Sequence, residues 1–277
     1  MDFYYIYKAL SHPGHNRYVM PFTLDERLMH AREAERTLGS RIPWLVDNMD
    51  DAAHTAFGTL SNVELVVDVD ARIVRRRMWS DPEGLRLDLD ELVGPAAQPT
   101  RVEDLDMQQL PPPPTVATGI VPPVELPGRM WPLVAEPVLG ESRVPFFVKL
   151  RADGDADLIN TGRGTLYLGF FLDPLYEVHW NNEAPPLKFE IQPPEGVEIA
   201  PASMTGPQVQ EPADGDPREF LVNVAAQRTE EPLALTFDYY ACDNDLTFCI
   251  PVKQRYRIGL QRDISHGWTF RPGGARQ

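Results

Sequence analysis

Between residues 95 and 140 the chain carries a proline run, Pro111 to Pro114, followed by further prolines at 122, 123, 127, 132 and 137. Proline fixes φ and removes a backbone donor, so such a stretch extends rather than packs into a helix or a central strand. This feature constrains the fold most, because it divides the chain into a front part, 1–94, and a back part, 141–264, with a tail at 265–277. Two modest domains fit the length of 277 residues. A hydrophobic content of 43% lets each half bury a core. Part of the linker is expected to lie along the back domain as an edge strand.

The front part reads as mixed α/β. Residues 2–7 (DFYYIY) are aromatic and β-branched, which suits a buried strand. Residues 23–38 read as a helix: Thr23 caps, Glu26 completes a capping box, and Leu24, Leu28, Ala31, Ala34, Glu35 and Leu38 approximate a helical stripe. Gly39 ends it. A short strand at 42–46, a short helix at 50–57, a hairpin at 64–68 and 72–79 and a helix from Pro82 to Val93 complete the order. The back part shows short strands separated by turn signals, at 144–151, 165–172, 176–180, 187–191, 218–224, 233–240 and 252–260. That spacing predicts an antiparallel β-sandwich. The fold class expected is therefore α/β plus all-β.

Lys and Arg number 26 against 41 Asp and Glu, a net charge of −15. Such a surface repels polyanions, which argues against nucleic acid and anionic membrane as partners. No apolar run is long enough to span a bilayer, and MDFYYIYKALSHPGH has no basic region followed by an apolar one. Nothing resembles a Ser–His–Asp constellation, a glycine-rich phosphate loop or a metal cluster, so no cofactor is expected. His15, His30 and His54 lack metal-ligand spacing, and His179-Trp180 reads as packing.

Two cysteines remain, Cys242 and Cys249, seven positions apart in a strand–turn–strand segment that can close a disulfide. A structural staple, a redox-active pair and two free buried thiols are all open on this reading. In exchange chemistry one thiolate attacks a partner disulfide and the second cysteine resolves the mixed disulfide. Asp243 and Asp245 are expected to raise a neighbouring thiol's pKa through like charge. Tyr239, Tyr240 and Phe248 either shield the pair or belong to the core.

Phe3-Tyr4-Tyr5-Ile6-Tyr7, then His12-Pro13, Asp25-Glu26-Arg27-Leu28, Ile42 to Asp50 and Arg72-Ile73-Val74 resemble, in order and spacing, the iodothyronine deiodinases and their thioredoxin-like relatives. The resemblance implies a thioredoxin-like domain lacking its first strand and nucleophile helix. It also implies a proton-relay role for His12 beside a selenocysteine or cysteine, and a reductive dehalogenase activity if an upstream segment supplies that nucleophile. Either the domain has decayed into a scaffold or the start of the reading frame has been set too late. Ser61-Asn62-Val63 stand where thioredoxin-like folds usually carry a cis-proline.

Asp238-Tyr239-Tyr240-Ala241-Cys242 and Phe248-Cys249-Ile250-Pro251, with Glu177 to Asn182, resemble the N-terminal immunoglobulin-like domain of the bacterial thiol–disulfide interchange protein DsbD. That resemblance implies an immunoglobulin-like sandwich whose cysteine pair exchanges reducing equivalents with a protein thiol or disulfide partner. The alternative expectation is a non-catalytic binding or scaffold protein with a structural disulfide and a vestigial front domain. A persistent disulfide prefers an oxidising compartment, so a periplasmic or extracytoplasmic location is expected if the N-terminus is truncated.

Overall fold

The computed structural model describes residues 1–10, 18–58, 62–98, 100–101, 104, 116–140, 144–226, 231–244 and 247–263. The chain forms two compact units. The first is mixed α/β and takes in the described residues 1–10 and 21–104. The second is antiparallel β, from residue 116 onward, and also holds residues 18–20.

In the first unit, β1 (Tyr5–Tyr7) and β2 (Trp44–Val46) pair in parallel, joined through helix α1 (Leu24–Leu38). The N-cap forms at the predicted Thr23, and Glu26 reaches back one residue beyond it. Thr23 Oγ1 accepts from Glu26 N at 3.2 Å, and the Glu26 carboxylate accepts from Phe22 N at 2.6 Å. Gly39 closes the helix in the left-handed region, its N–H donating to Glu35 O. The buried face of α1 shares Ala31 with the expected stripe but otherwise differs from it. Glu26, Arg27, His30 and Ala31 are buried, while Leu24 and Leu38 are exposed. Hydrogen bonding decides this orientation. Arg27 Nη1 donates to Asp47 O, Asn48 O and Asp51 Oδ1 at 3.2, 2.5 and 2.9 Å, tying α1 to the loop after β2.

Helix α2 (Ala52–Phe57) is held by Asp47, whose carboxylate accepts from Ala53 N and His54 N. Burial pushes the Asp47 carboxyl up, yet these N–H donors, that of Asn48 and the Arg27 charge together hold it below its ordinary value. Strands β3 (Glu64–Val67) and β4 (Ile73–Arg77) form the expected hairpin, and α3 (Pro82–Val93) follows with Pro82 in its first turn. Arg75 and Arg77 bridge from β4 to Asp88 on α3. A thioredoxin-like sheet places this hairpin beside the parallel strands; among the described residues β3 and β4 instead make a separate two-stranded sheet. Phe22 and Ala31 are the buried apolar side chains of this unit among the described residues.

The second unit is one eleven-stranded antiparallel sheet folded into two layers, with β9 and β11 branching from a nine-strand path. Strand β5 (Met130–Pro137) is shared between them. Met130 to Pro132 pair with β6 (Val148–Asp155), and Leu133 to Pro137 pair with β15 (Cys249–Arg262). The segment expected to extend as linker with a flanking edge strand thus supplies a strand between both layers. Pro132 is tolerated because the ladder changes partner at that residue, where its missing N–H interrupts neither pairing.

One layer continues from β6 through β7 (Arg163–Leu172) and β13 (Arg218–Ala226) to β10 (Val197–Ala200). The other runs from β15 to β14 (Leu233–Asp243), which pairs along its far edge with β8 (Val178–Asn181) and β9 (Lys188–Gln192). The short strands β11 (Ser203–Thr205) and β12 (Ala213–Asp214) extend β9 and β8. The layers meet through Phe170 and Phe220 on one side and Phe189 and Phe237 on the other, with ring centroids 4.7–5.8 Å apart.

Strand β6 begins four residues later than expected and runs through polar Asp153, because Arg151 Nη2 and Nε both bond the Asp153 carboxylate. Between β6 and β7 lies an unexpected helix, α4 (Ala156–Thr161), capped by Asp155, whose Oδ1 accepts from Leu158 N. Gly162 is its left-handed C-cap at φ +76°. A Cβ there would lie 2.7 Å from Ala226 O, so glycine is required twice over. Among the described residues no helix is long and apolar enough to cross a membrane.

Candidate functional site: the stapled hairpin

The ladder register of β14 and β15 brings Cys242 directly opposite Cys249. Their Cα atoms are 4.0 Å apart and the two form a disulfide, as their sequence spacing allows. On its other edge β14 pairs with β8, which sets His179 opposite Cys242 and Trp180 opposite Ala241. Cys242 is therefore buried between two strands, whereas Cys249 is exposed. Asn181 Nδ2 donates to Cys249 Sγ at 3.3 Å.

Polar groups around the disulfide hold the hairpin in shape. The Asp243 carboxylate accepts from Thr247 N, Phe248 N and Thr247 Oγ1 at 2.7, 2.9 and 2.5 Å. Desolvation pushes this carboxyl up, but the donors from Phe248 and Thr247 outweigh it and hold it below the ordinary range. The Asp243 carboxylate thus serves the turn between the two strands. Asp245 lies outside the described residues, as do His12 and His15.

The aromatic residues near the pair divide their roles. Tyr239 is buried, stacks on Phe237, meets Trp180 edge-on and donates its hydroxyl to Gln254 Oε1. Phe248 packs against Phe147. Tyr240, half-buried opposite Pro251, lines an open groove of about 320 Å³ with Pro185, Pro186, Lys188 and Lys253. This groove lies on the same two strands as the disulfide, two register positions away.

His179 and Trp180 are packing residues, as read from sequence. His179 Nδ1 lies 3.1 Å from Asn244 Oδ1, and Trp180 Nε1 donates to Asp216 O at 2.6 Å. Beyond Trp180 lies a buried charged cluster that the sequence reading missed. Arg218 grips Asp214 through both terminal nitrogens at 2.9 and 2.7 Å, donates to Asn182 Oδ1 and Asp216 O, and stacks over Trp180. The signal was present in strand parity. Arg218 shares the phase of Phe220, Val222 and Val224 along β13, so alternation alone puts its side chain on the core face.

Asp216 extends the cluster outward. Its carboxylate accepts from Gly119 N, Ile120 N and Val121 N at 2.8, 2.6 and 2.9 Å, and Glu219 accepts from Val124 N. These bonds strap the proline-rich segment 117–124 to the sandwich. Replacing Asp216 with Ala leaves three N–H groups without that acceptor, and the expected loss is about 1–3 kcal/mol. Limited proteolysis should then cut within 117–124 well before the sandwich; equal resistance in wild type and variant would show that the strap is held otherwise.

Among the described residues no group of three or more His, Cys, Asp or Glu side chains is placed to hold a metal ion. No known protein family, curated protein or solved structure matches the chain.

Proposed function

We propose that this chain is a non-catalytic binding or scaffold protein whose disulfide is a structural staple. One observation carries this reading. The two cysteines face each other in ladder register, already joined, and Asp243, His179 and Asn244 beside them are engaged in bonds within the hairpin and its neighbouring strand. The staple stiffens two strands that line the Tyr240–Pro251 groove, an apolar shelf flanked by Lys188 and by the Lys253–Asp238 ion pair, which suits an extended segment of a partner protein. We further read the sandwich as immunoglobulin-like in kind, and the front unit as derived from a thioredoxin-like fold through its β–α–β order.

A staple closing so short a loop stabilises by about 2–3 kcal/mol through the unfolded state. The Cys242→Ser, Cys249→Ser protein should therefore fold, with its unfolding free energy in urea titrations lowered by that amount. The wild-type reduction potential should lie below about −300 mV. A potential in the thioredoxin range, near about −270 mV, would instead support the second reading, thiol–disulfide exchange with a partner protein. The exposure of Cys249 favours that reading, since it leaves one sulfur open to an incoming thiolate.

A further inference from the structure

Strand β15 exposes alternate residues, and three successive ones are cations. Lys253, Arg255 and Arg257 are exposed while Val252, Gln254, Tyr256 and Ile258 are buried, so the three stand about 7 Å apart on the outward face. Lys253 is bridged to Asp238 on β14 at 3.4 Å. Among the described residues no such bridge joins Arg255 or Arg257 to Glu190 and Glu136, the carboxylates that share their rows of the sheet. Two guanidinium groups this close on one face repel each other until an anion lies against them.

A channel runs beside this stripe. Strand β14 lies between β15 and β9, and its outward residues Thr236 and Ala234 stand opposite Arg255 and Arg257. On the far side β9 presents Glu190 and Gln192, both exposed. The flanking strands are about 10 Å apart, room for one extended chain, and their long side chains wall a floor of short ones. Past Asp238 the channel continues into the Tyr240–Pro251 groove.

We propose, resting on the binding reading given above, that this channel receives an extended acidic segment of a partner protein, with an apolar side chain against Tyr240 and Pro251 and carboxylates on Arg255 and Arg257. Strand period sets the spacing. An extended chain turns every second side chain to one face and rises about 6.7 Å over those two residues, the same step that separates the rows of the sheet. An apolar residue on the Tyr240–Pro251 row thus puts the side chain two positions on over the Asp238–Lys253 ion pair, where a small polar group fits. Side chains four and six positions on meet Arg255 and Arg257, whose planar forks bond carboxylates in bidentate fashion. The acidity of the whole chain does not oppose this contact. Fields of exposed charges fall off over about 8 Å at physiological ionic strength, so the two arginines govern it rather than the net charge of −15. A dense polyanion, by contrast, extends beyond the stripe and meets the acidic remainder of the surface.

Fluorescence anisotropy on the full chain, disulfide intact, tests the proposal with the labelled heptapeptide Phe-Ser-Ser-Ser-Glu-Ser-Glu, whose side chains follow that order. Saturable binding is expected. Arg255→Gln combined with Arg257→Gln should weaken it about five- to thirtyfold, the loss of two exposed charge pairs. Both positions are exposed, so the variant keeps its core. Phe-Ser-Ser-Ser-Gln-Ser-Gln should bind the wild type as weakly as the variant binds the acidic peptide, and should not distinguish the two proteins. Phe-Ser-Ser-Ser-Ser-Glu-Glu keeps the composition but turns one carboxylate away, and should lose about two- to fivefold. A wild-type chain that binds none of these peptides overturns the proposal and the groove reading with it. Peptides bound all alike, or a variant that binds as the wild type does, overturn the proposal alone and leave the groove standing. Dextran sulfate bound more tightly than the acidic peptide also overturns it, since the stripe then reads charge density and not an extended chain.

Discussion

Phe170→Ala should lower the stability of the β-sandwich by about 3–5 kcal/mol. Phe170 is fully buried in β7 and touches Phe220 in its own layer and Phe189 and Phe237 in the other. It is therefore the ring through which the layers register against each other. Truncation removes its transfer energy and leaves a cavity that Phe189 and Phe220 fill poorly, because each is fixed by its own strand. The adjacent Phe171 points to the other face, where it meets Val19, so Phe171→Ala leaves the aromatic cluster intact. Urea unfolding followed by near-ultraviolet circular dichroism reads the effect as a lowered midpoint at unchanged slope. A shift worth less than about 1 kcal/mol would mean that the layers do not depend on this cluster.

Arg218→Met should be comparably damaging, about 3–5 kcal/mol at neutral pH, although methionine keeps much of the stem that packs on Trp180. Asp214 is fully buried, and the variant leaves its carboxylate without a cation. In the wild type, burial pushes the Asp214 carboxyl up. The hydrogen bonds from Arg218 and Asn182, the Arg218 charge and the Asp216 N–H overcome that and leave it below its ordinary value. A depressed folded value stabilises above the unfolded pKa of about 3.9 and loses that contribution as the pH falls through the folded value. Without Arg218 the sign reverses. Burial then raises the folded value above the unfolded one, so protonation relieves the variant. The stability gap between the two proteins should accordingly be widest near pH 7 and narrow as the pH approaches about 4. Adding Asp214→Asn to Arg218→Met should recover part of the loss. A gap that stays constant with pH would show that packing, not charge, explains the defect.

Much of the element order could be read in advance because it rests on local chemistry. The N-cap at Thr23, the αL glycine at position 39 and Pro82 at the start of α3 are satisfied within a few residues of themselves, and all three stand where the sequence puts them. Alternation along 218–224 and 233–240 likewise marks strands, since period two is a local property of extended backbone. The cysteine spacing was enough to join Cys242 and Cys249 across a hairpin. It was not enough to assign the pair a task, because that depends on which sulfur is exposed and on what Asp243 bonds.

Composition and local patterning thus determined an α/β front, an all-β back, the strand phases and a closable cysteine pair. Tertiary structure alone decided that α1 buries Glu26, Arg27 and His30 rather than its leucines, that β5 joins both layers of the sandwich, and that Asp214, Asp216 and Arg218 form a buried cluster strapping segment 117–124. The reason is the same in each case. A buried polar group is tolerated only where partners distant in sequence arrive to bond it, and no window along the chain contains both sides of such a bond.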